Sequence, residues 1–257
     1  MDLPSTAEWY SIAREAAGAA SILITMLPNG AIVRGALVGS GSAVDALQSG
    51  ALVIDVSSSA PTETRQLAVD LRARDIFLID APVSGGVRRA VDGSLAIMVG
   101  GDPEQIELAR PILQIMGKTV IATGPIGSGH AVKALNNYVS AAGFTAACEA
   151  ALVAEQFGVD PNVLIDVLNA STGRNISTEL KMKPFILSGS FASGFSMALM
   201  AKDLRTAADL AEHLNIRAEG AHAAAALWAQ ALSAFGNGAD HIEIYRFLAR
   251  RGKSKAE

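Results

Sequence analysis

The 257-residue chain has one cysteine, Cys148, so it can close no internal disulfide, and that usage fits a reducing cytoplasm. It has no apolar run of membrane-spanning length, and Met1 is not followed by the charged-then-apolar pattern of a secretory signal. Surplus cations are missing too. The 21 Lys and Arg stand against 25 Asp and Glu, and a net charge of −4 argues against the basic footprint of a nucleic-acid binder. The four histidines, His130, His213, His222 and His241, show no ligand spacing with cysteines or acids, so they read as ordinary polar positions and no metal site is expected. Only 18% of residues are charged and half are apolar, which describes a globular chain long enough for two cores.

What is present divides sharply near residues 124–129. Before that point, short apolar runs alternate with helical patterns: residues 20–27, 51–56, 76–79, 95–99 and 119–122 read as strands. Helices are expected at 11–18, 43–48, 61–72 and 103–116, with Ser58 or Ser59 near the N-cap of the third and Pro61 opening it. Residues 30–39 read as a helical turn or loop, and 81–89 as a loop. Alternating strand and helix with short connections implies a parallel sheet with helices on its faces. After residue 123 only helices are expected: residues 127–158, one from Pro161, and others near 179–187, 201–213 and 220–235. The expected organisation is an α/β domain over residues 1–124 and an all-α domain over 125–257. The charged end RRGKSKAE reads as frayed.

The stretch GSGHAVKALNNYVSAAGFTAACEAALVAEQFG, residues 127–158, joins the halves. Gly127 and Gly129 suit a tight turn into a helix start, and no proline interrupts the run to Gly158. About 29 helical residues make a rod of roughly 43 Å. Lys133 and Asn137 are four apart and share a face. A lysine in the first turns of a helix gains nothing from the helix dipole, which suggests a reason other than stability. On spacing alone, a solvated surface lysine followed by asparagines remains the simpler reading.

Three strand ends carry polar groups at what should be one sheet edge: residues 26–28 (MLP), residues 57–59 (SSS) and DAPVSGG, residues 80–86. In the last, Ser84 offers a hydroxyl, and Gly85 and Gly86 let backbone N–H groups approach a small anion such as a carboxylate. A Gly-Gly turn with a serine is also common in ordinary loops.

Together, ITMLPNG (24–30), VIDVSSSAP (53–61), DAPVSGGVRRAVDGSLAIMVGGD (80–102), GSGHAVKALNN (127–137) and AKDLRTAADLA (201–211) resemble the β-hydroxyacid dehydrogenases, the relatives of 3-hydroxyisobutyrate dehydrogenase. Each motif is moderately specific; all of them in order are strongly so. The resemblance implies a Rossmann-type dinucleotide-binding domain followed by a helical domain, joined by a long helix. It implies that Lys133 is the catalytic lysine and Asn137 a substrate-binding asparagine, and that Ser84, Gly85 and Gly86 hold the substrate carboxylate. It further implies that Leu27, Pro28 and Ser58 touch the cofactor, NAD or NADP. Lys202 matches a lysine near the nicotinamide, and Asp203 is expected to support that lysine or the helix start. The substrate would be a small β-hydroxy acid, interconverted with its semialdehyde or keto form. A lysine moves the hydroxyl proton near neutral pH only if burial or nearby positive charge lowers its pKa.

Other residues have weaker claims. Arg88 and Arg89 follow the carboxylate loop and read best as a solvated pair; Asn175, Glu179 and Lys183 are candidates for lining the substrate cleft. Cys148 reads as a small core residue. The Ala-rich stretch GAHAAAALWAQALSAF, with small residues on more than one face, suggests a homodimer or homotetramer built through the helical half.

One family feature has no counterpart in these residues. The family's G-x-G-x-x-G turn between its first strand and helix is absent; GALVGSG at 35–41 has the wrong spacing and follows the MLP loop. The acidic residue that would choose NAD over NADP belongs to the same segment, so both stay open. An exposed sheet edge is expected where the first strands would lie. A start set too late in a working enzyme, a non-catalytic fragment that binds small acids or a partner chain, and an imine-reducing relative all remain open. Imine reducers generally lack the lysine, so Lys133 speaks against the last.

The pyrophosphate turn normally supplies several charge-assisted hydrogen bonds, each worth on the order of 1.5–3 kcal/mol. Losing two or three weakens affinity by several powers of ten. The 257-residue chain should therefore show no dinucleotide binding at about 100 μM, while a chain carrying a family strand–turn–helix ahead of Met1 should bind in the micromolar range. Calorimetric titration of both chains with NAD and NADP checks this; micromolar binding by the shorter chain would mean that its own loops suffice.

Overall fold

The computed structural model describes residues 7–18, 20–39 and 41–253. Residues 1–6, which carry no periodic signal, and 254–257 of the charged end lie outside that description. The chain forms two compact units, Met1–Lys133 and Ala134–Glu257.

The first unit runs α1 (Ala13–Ala16), β1 (Ile22–Thr25), α2 (Gly30–Val38), a 3-10 turn (Ala43–Asp45), β2 (Leu52–Asp55), α3 (Pro61–Arg72), β3 (Phe77–Asp80), β4 (Val83–Ser84), α4 (Gly86–Val91), β5 (Ala96–Gly100), α5 (Pro103–Met116) and β6 (Thr119–Gly124). The sheet has six strands in the order β1-β2-β3-β5-β4, with β6 also on β5. β1, β2 and β3 are parallel, as are β5 and β6, but β5 runs antiparallel to β3 and β4. The sheet is thus mixed where the alternating pattern predicts a parallel one. β2 is buried along its whole length. Leu52 and Ile54 join the core beneath α5, and Val53 joins the one beneath α2 and α3. Burial on both faces explains its unbroken apolar run. β1 closes one side of the sheet, pairing with β2.

Four local expectations change, the first being that the helix expected at 43–48 is only a 3-10 turn, Ala43–Asp45. Residues 30–38 form a full helix: the Asn29 side chain accepts the N–H of Ile32, and Val33 and Leu37 are buried, which outweighs the low helix propensity of Gly30 and Gly35. Residues 81–89 are not a plain loop. Gly85 (φ 135°) and Gly86 (φ 68°) turn the chain between a two-residue strand and the short helix α4, elements too brief to carry a period. The N-cap of α3 is Ala60, not Ser58 or Ser59; the Ser59 hydroxyl bonds Asp55 instead.

The second unit takes over within α6 (Ser128–Phe157) and continues through α7 (Pro161–Ala170), α8 (Ile176–Leu180), a π-helix (Met182–Leu187), α9 (Met197–His213), α10 (Glu219–Phe235) and α11 (Ile244–Lys253). The single helix expected near 179–187 is split. Pro184 lies in the π-helix, where its missing N–H disfavours regular α-helical bonding. Among the described residues the only β-pairing after Gly124 is one bridge, Ser196 with Asp240, and no helix is long and apolar enough to cross a membrane.

The core of this unit gathers Phe144, Met182, Leu204 and Trp228, with the buried ring of His241 packed among Phe144, Phe195 and Trp228. His241 Nε2 lies 3.1 Å from the Lys181 ammonium, which donates to it. Nδ1 therefore carries the ring hydrogen and faces Asp240 Oδ1 at 3.0 Å and the Phe195 carbonyl at 3.2 Å. Asp240 also accepts from the backbone N–H groups of Ser193, Gly194 and Ile242, which ties two loops together. Burial, with Lys181 acting in the same sense, depresses the His241 pKa against the pull of Asp240.

A depressed folded-state pKa means that the native state binds fewer protons than the unfolded one. The stabilisation from His241 is then present above its ordinary value of 6.5 and is lost as pH falls through the lower folded value. The melting temperature should drop on going from about pH 7 to about pH 5, and His241→Gln should flatten that slope. Circular-dichroism melts of both proteins across this range are the check; parallel curves would remove His241 from the account.

Candidate functional site

The parallel register of the first unit places Thr25 beside Asp55 and Asp55 beside Asp80, at the carboxyl ends of β1, β2 and β3. All three are buried. Buried carboxylates need donors, and this row has them. Asp55 accepts from the Thr25 hydroxyl at 2.8 Å and from the Ser57 N–H at 3.0 Å. The Ser57 hydroxyl in turn accepts the Leu27 N–H at 2.9 Å, so the loops after β1 and β2 are bonded to each other.

Asp80 is satisfied from the start of α6. Its carboxylate oxygens accept the N–H groups of Gly127 at 2.6 Å and His130 at 2.7 Å. An acid at a helix N-terminus also suits the dipole. Burial nevertheless holds the Asp80 carboxyl above its ordinary 3.8, against the opposing effects of His130 and these N–H bonds. The helix comes this close because Gly129 has no side chain: a β-carbon there would lie 2.4 Å from the Met98 carbonyl oxygen and 2.9 Å from that of Asp80.

His130 has a fully buried ring. Nε2 faces the Ser57 carbonyl at 3.2 Å and Nδ1 faces the Thr64 hydroxyl at 2.8 Å. Asp55 and Asp80 each bring a carboxylate oxygen to 3.8 Å from the ring, one on either nitrogen. Three residues on, Lys133 is buried as well, at the end of this unit.

In the helical unit, Asn137 is buried one turn beyond Lys133 on the same helix. Its side-chain amide donates to Asp203, whose other oxygen lies 3.1 Å from the Lys202 ammonium. Asp203 thus supports Lys202, as expected, and also orients Asn137.

The remaining expected residues fall on the first unit's surface. Ser84 is half-buried in β4, and Gly85 and Gly86 are exposed with positive φ. A β-carbon at Gly85 would fall 2.5 Å from Arg89 Cδ, so the stem of Arg89 passes over this turn, and Arg88 and Arg89 are both exposed, as a solvated pair would be. Leu27 and Ser58 are half-buried and Pro28 exposed. These residues share the carboxyl ends of the adjacent strands β1 and β2, which the bond from the Leu27 N–H to the Ser57 hydroxyl fastens together. Gly35 and Gly39 are the interior and C-cap of α2, so GALVGSG is no phosphate turn.

Asn175, Glu179 and Lys183 have structural partners. Asn175 caps α8 in a capping box, Glu179 pairs with Arg174, and Lys183 pairs with Asp166. Conversely, Asp55, Asp80 and His130 belong to this arrangement although no motif marks them as functional, and His130 reads in the sequence as an ordinary polar position. A carboxylate closing each of two apolar strands is the signal that could have found the first two; nothing in the spacing of His130 marks it. Among the described residues, no three His, Cys, Asp or Glu side chains group to hold a metal ion.

Comparison with known proteins gives a consistent result. A profile for the NAD binding domain of 6-phosphogluconate dehydrogenase matches residues 3–124, and one for the NAD-binding region of NADP-dependent 3-hydroxyisobutyrate dehydrogenase matches residues 127–248. The chain is 36% identical over 203 residues to 2-(hydroxymethyl)glutarate dehydrogenase of Eubacterium barkeri, covering 79% of this chain and 67% of that protein. It is 36% identical over 202 residues to 3-sulfolactaldehyde reductase of Escherichia coli K12, covering 79% and 68%. The solved structure of Mycobacterium tuberculosis 3-hydroxyisobutyrate dehydrogenase with L-serine superposes with a TM-score of 0.84 at 33% identity, over 93% of this chain and 83% of that one.

Proposed function

Because the chain belongs to the β-hydroxyacid dehydrogenase family, NAD(P)-dependent oxidoreductases of small hydroxy acids, we propose that Lys133 is its general acid and base. The observation that carries this reading is a buried lysine in the first turns of α6, a helix whose start is bonded to Asp80. Lys133 Nζ takes the hydroxyl proton as the substrate alcohol is oxidised and returns it in reduction. Asn137, oriented by Asp203, hydrogen-bonds the substrate. Ser84 and the backbone N–H groups of Gly85 and Gly86 hold its carboxylate. Leu27, Pro28 and Ser58 hold the nicotinamide end of the cofactor, with Lys202 near it. When bound, NAD or NADP supplies the hydride acceptor. The division into residues 1–124 for the dinucleotide and 125–257 for the helical domain belongs to the same reading.

Lys133→Ala should lower kcat by about 100-fold or more while leaving dinucleotide binding nearly unchanged. Steady-state kinetics in the chain that carries a family dinucleotide-binding front measure this, and a variant that keeps most of its kcat would remove Lys133 from the role. Ser84→Ala should act instead on the KM for the acid.

The reading extends to assembly as a homodimer or homotetramer through the helical unit. The small residues Ala225 and Ala231 of α10 are buried in the core of its own unit, whereas α6 and α7 leave Val153, Phe157, Val163 and Val167 exposed, Phe157 by 84%. An apolar stripe of this kind is one that a second copy would cover. Light scattering at micromolar concentration should give a multiple of the chain mass, and Phe157→Lys should shift it toward the monomer. A clean monomer mass for the unaltered chain would count against the assembly.

A further inference from the structure

His130 stands outside every role assigned above, yet three proposed functional segments meet at it. The Ser57 carbonyl, directly before Ser58, lies on Nε2. Its own backbone N–H is held by Asp80, the residue that opens the acid-binding loop. His130 and Lys133 are three apart in one helix, the spacing that puts side chains on the same side. Thr64 of α3 holds the remaining ring nitrogen.

The ring's hydrogen bonds admit little freedom. A carbonyl only accepts, so Nε2 must carry the hydrogen it shares with Ser57. In a neutral ring Nδ1 then only accepts, so the Thr64 hydroxyl directs its single hydrogen to Nδ1 at 2.8 Å rather than to the Ala60 carbonyl 3.0 Å away. Both ring nitrogens are thus committed in a buried space flanked by Asp55 and Asp80. An apolar side chain would leave the Ser57 carbonyl unpartnered there and remove the ring that separates two carboxylates.

We infer that His130 is a positioning residue: it fixes the distance between the loop of residues 57–59 and the helix start that bears Lys133. The inference rests on the dehydrogenase reading, in which that loop faces the nicotinamide and Lys133 faces the reacting hydroxyl. A misplacement of about 1 Å in such a constellation can cost on the order of 100-fold in rate. The ring therefore acts on turnover rather than on affinity for the acid.

The test pairs a measurement that needs no cofactor with one that does. Amide hydrogen exchange on the 257-residue chain should show that His130→Leu loosens residues 57–59 and 127–133 together, leaving α9 and α10 unchanged. His130→Gln, whose amide can still donate to Ser57, should restore protection of both. In the chain that turns over hydroxy acid, His130→Leu should lower kcat by about 10- to 100-fold with KM for the acid changed less than about threefold. It should also displace the limb of the pH–rate profile that reports the general base, and His130→Gln should recover most of the loss. Thr64→Val, with Thr64→Ser as its control, gives a milder form of the same result if His130→Leu does not fold. Exchange that rises only in residues 127–133, or a folded His130→Leu with unaltered kcat and pH profile, would overturn the inference. Lack of any turnover by the unsubstituted chain that carries a family dinucleotide-binding front would count against the dehydrogenase reading, while exchange on the 257-residue chain would still decide whether the ring couples the two segments.

Discussion

The first unit depends on one interaction, the acceptance of two backbone N–H groups at the start of α6 by the buried carboxylate of Asp80. A helix start leaves several N–H groups without partners, and a carboxylate taken out of water leaves oxygens without donors. Each deficit here satisfies the other. The bond also has a direction: it fixes the first turn of a 30-residue helix against the carboxyl edge of the sheet, so everything carried in that turn inherits a defined place. Gly129 is a condition of the contact, because any side chain there would meet backbone oxygens of β5 and β3.

The same helix distributes its polar residues between two environments. Lys133 ends the α/β unit and Asn137 is buried in the helical one, where Asp203 links it to Lys202. An asparagine held by a carboxylate through its amide nitrogen presents its oxygen in a fixed sense. Asp203 therefore settles an ambiguity that the asparagine alone would carry, and the acid beside Lys202 does more than balance charge.

Much of this was legible in the sequence, and the exceptions have physical causes. Long periodic segments such as residues 103–116 and 127–158 show in the sequence because their apolar spacing and caps agree. The antiparallel return of β5 onto β3 and β4 does not, since a two-residue strand has no period and the turn depends on the φ values of Gly85 and Gly86. The motif residues Lys133, Ser84 and Asn137 stand out by resemblance. Asp55, Asp80 and His130 do not, because their significance lies in hydrogen bonds across 30 to 73 positions of chain, which no local pattern encodes. The capping box at Asn175 illustrates the converse: a polar cluster that looks like a site is spent on ending loops and starting a helix.

The row formed by Thr25, Asp55 and Asp80 also bears on how the sheet finds its pairing. Burial of a strand's faces guards against a slip by one residue, which would turn every side chain over, but a slide by two keeps each side chain on its face. If β2 slid so that Asp55 occupied the place of Val53, that carboxylate would face Leu23 and Leu78, far from the Thr25 hydroxyl and the Ser57 loop. Leaving a buried charge without partners costs on the order of 3–5 kcal/mol, a large share of the stability of an ordinary domain. The polar strand ends thus serve as an alignment mark, by which misregistered sheets are discriminated against during folding, before any ligand is bound.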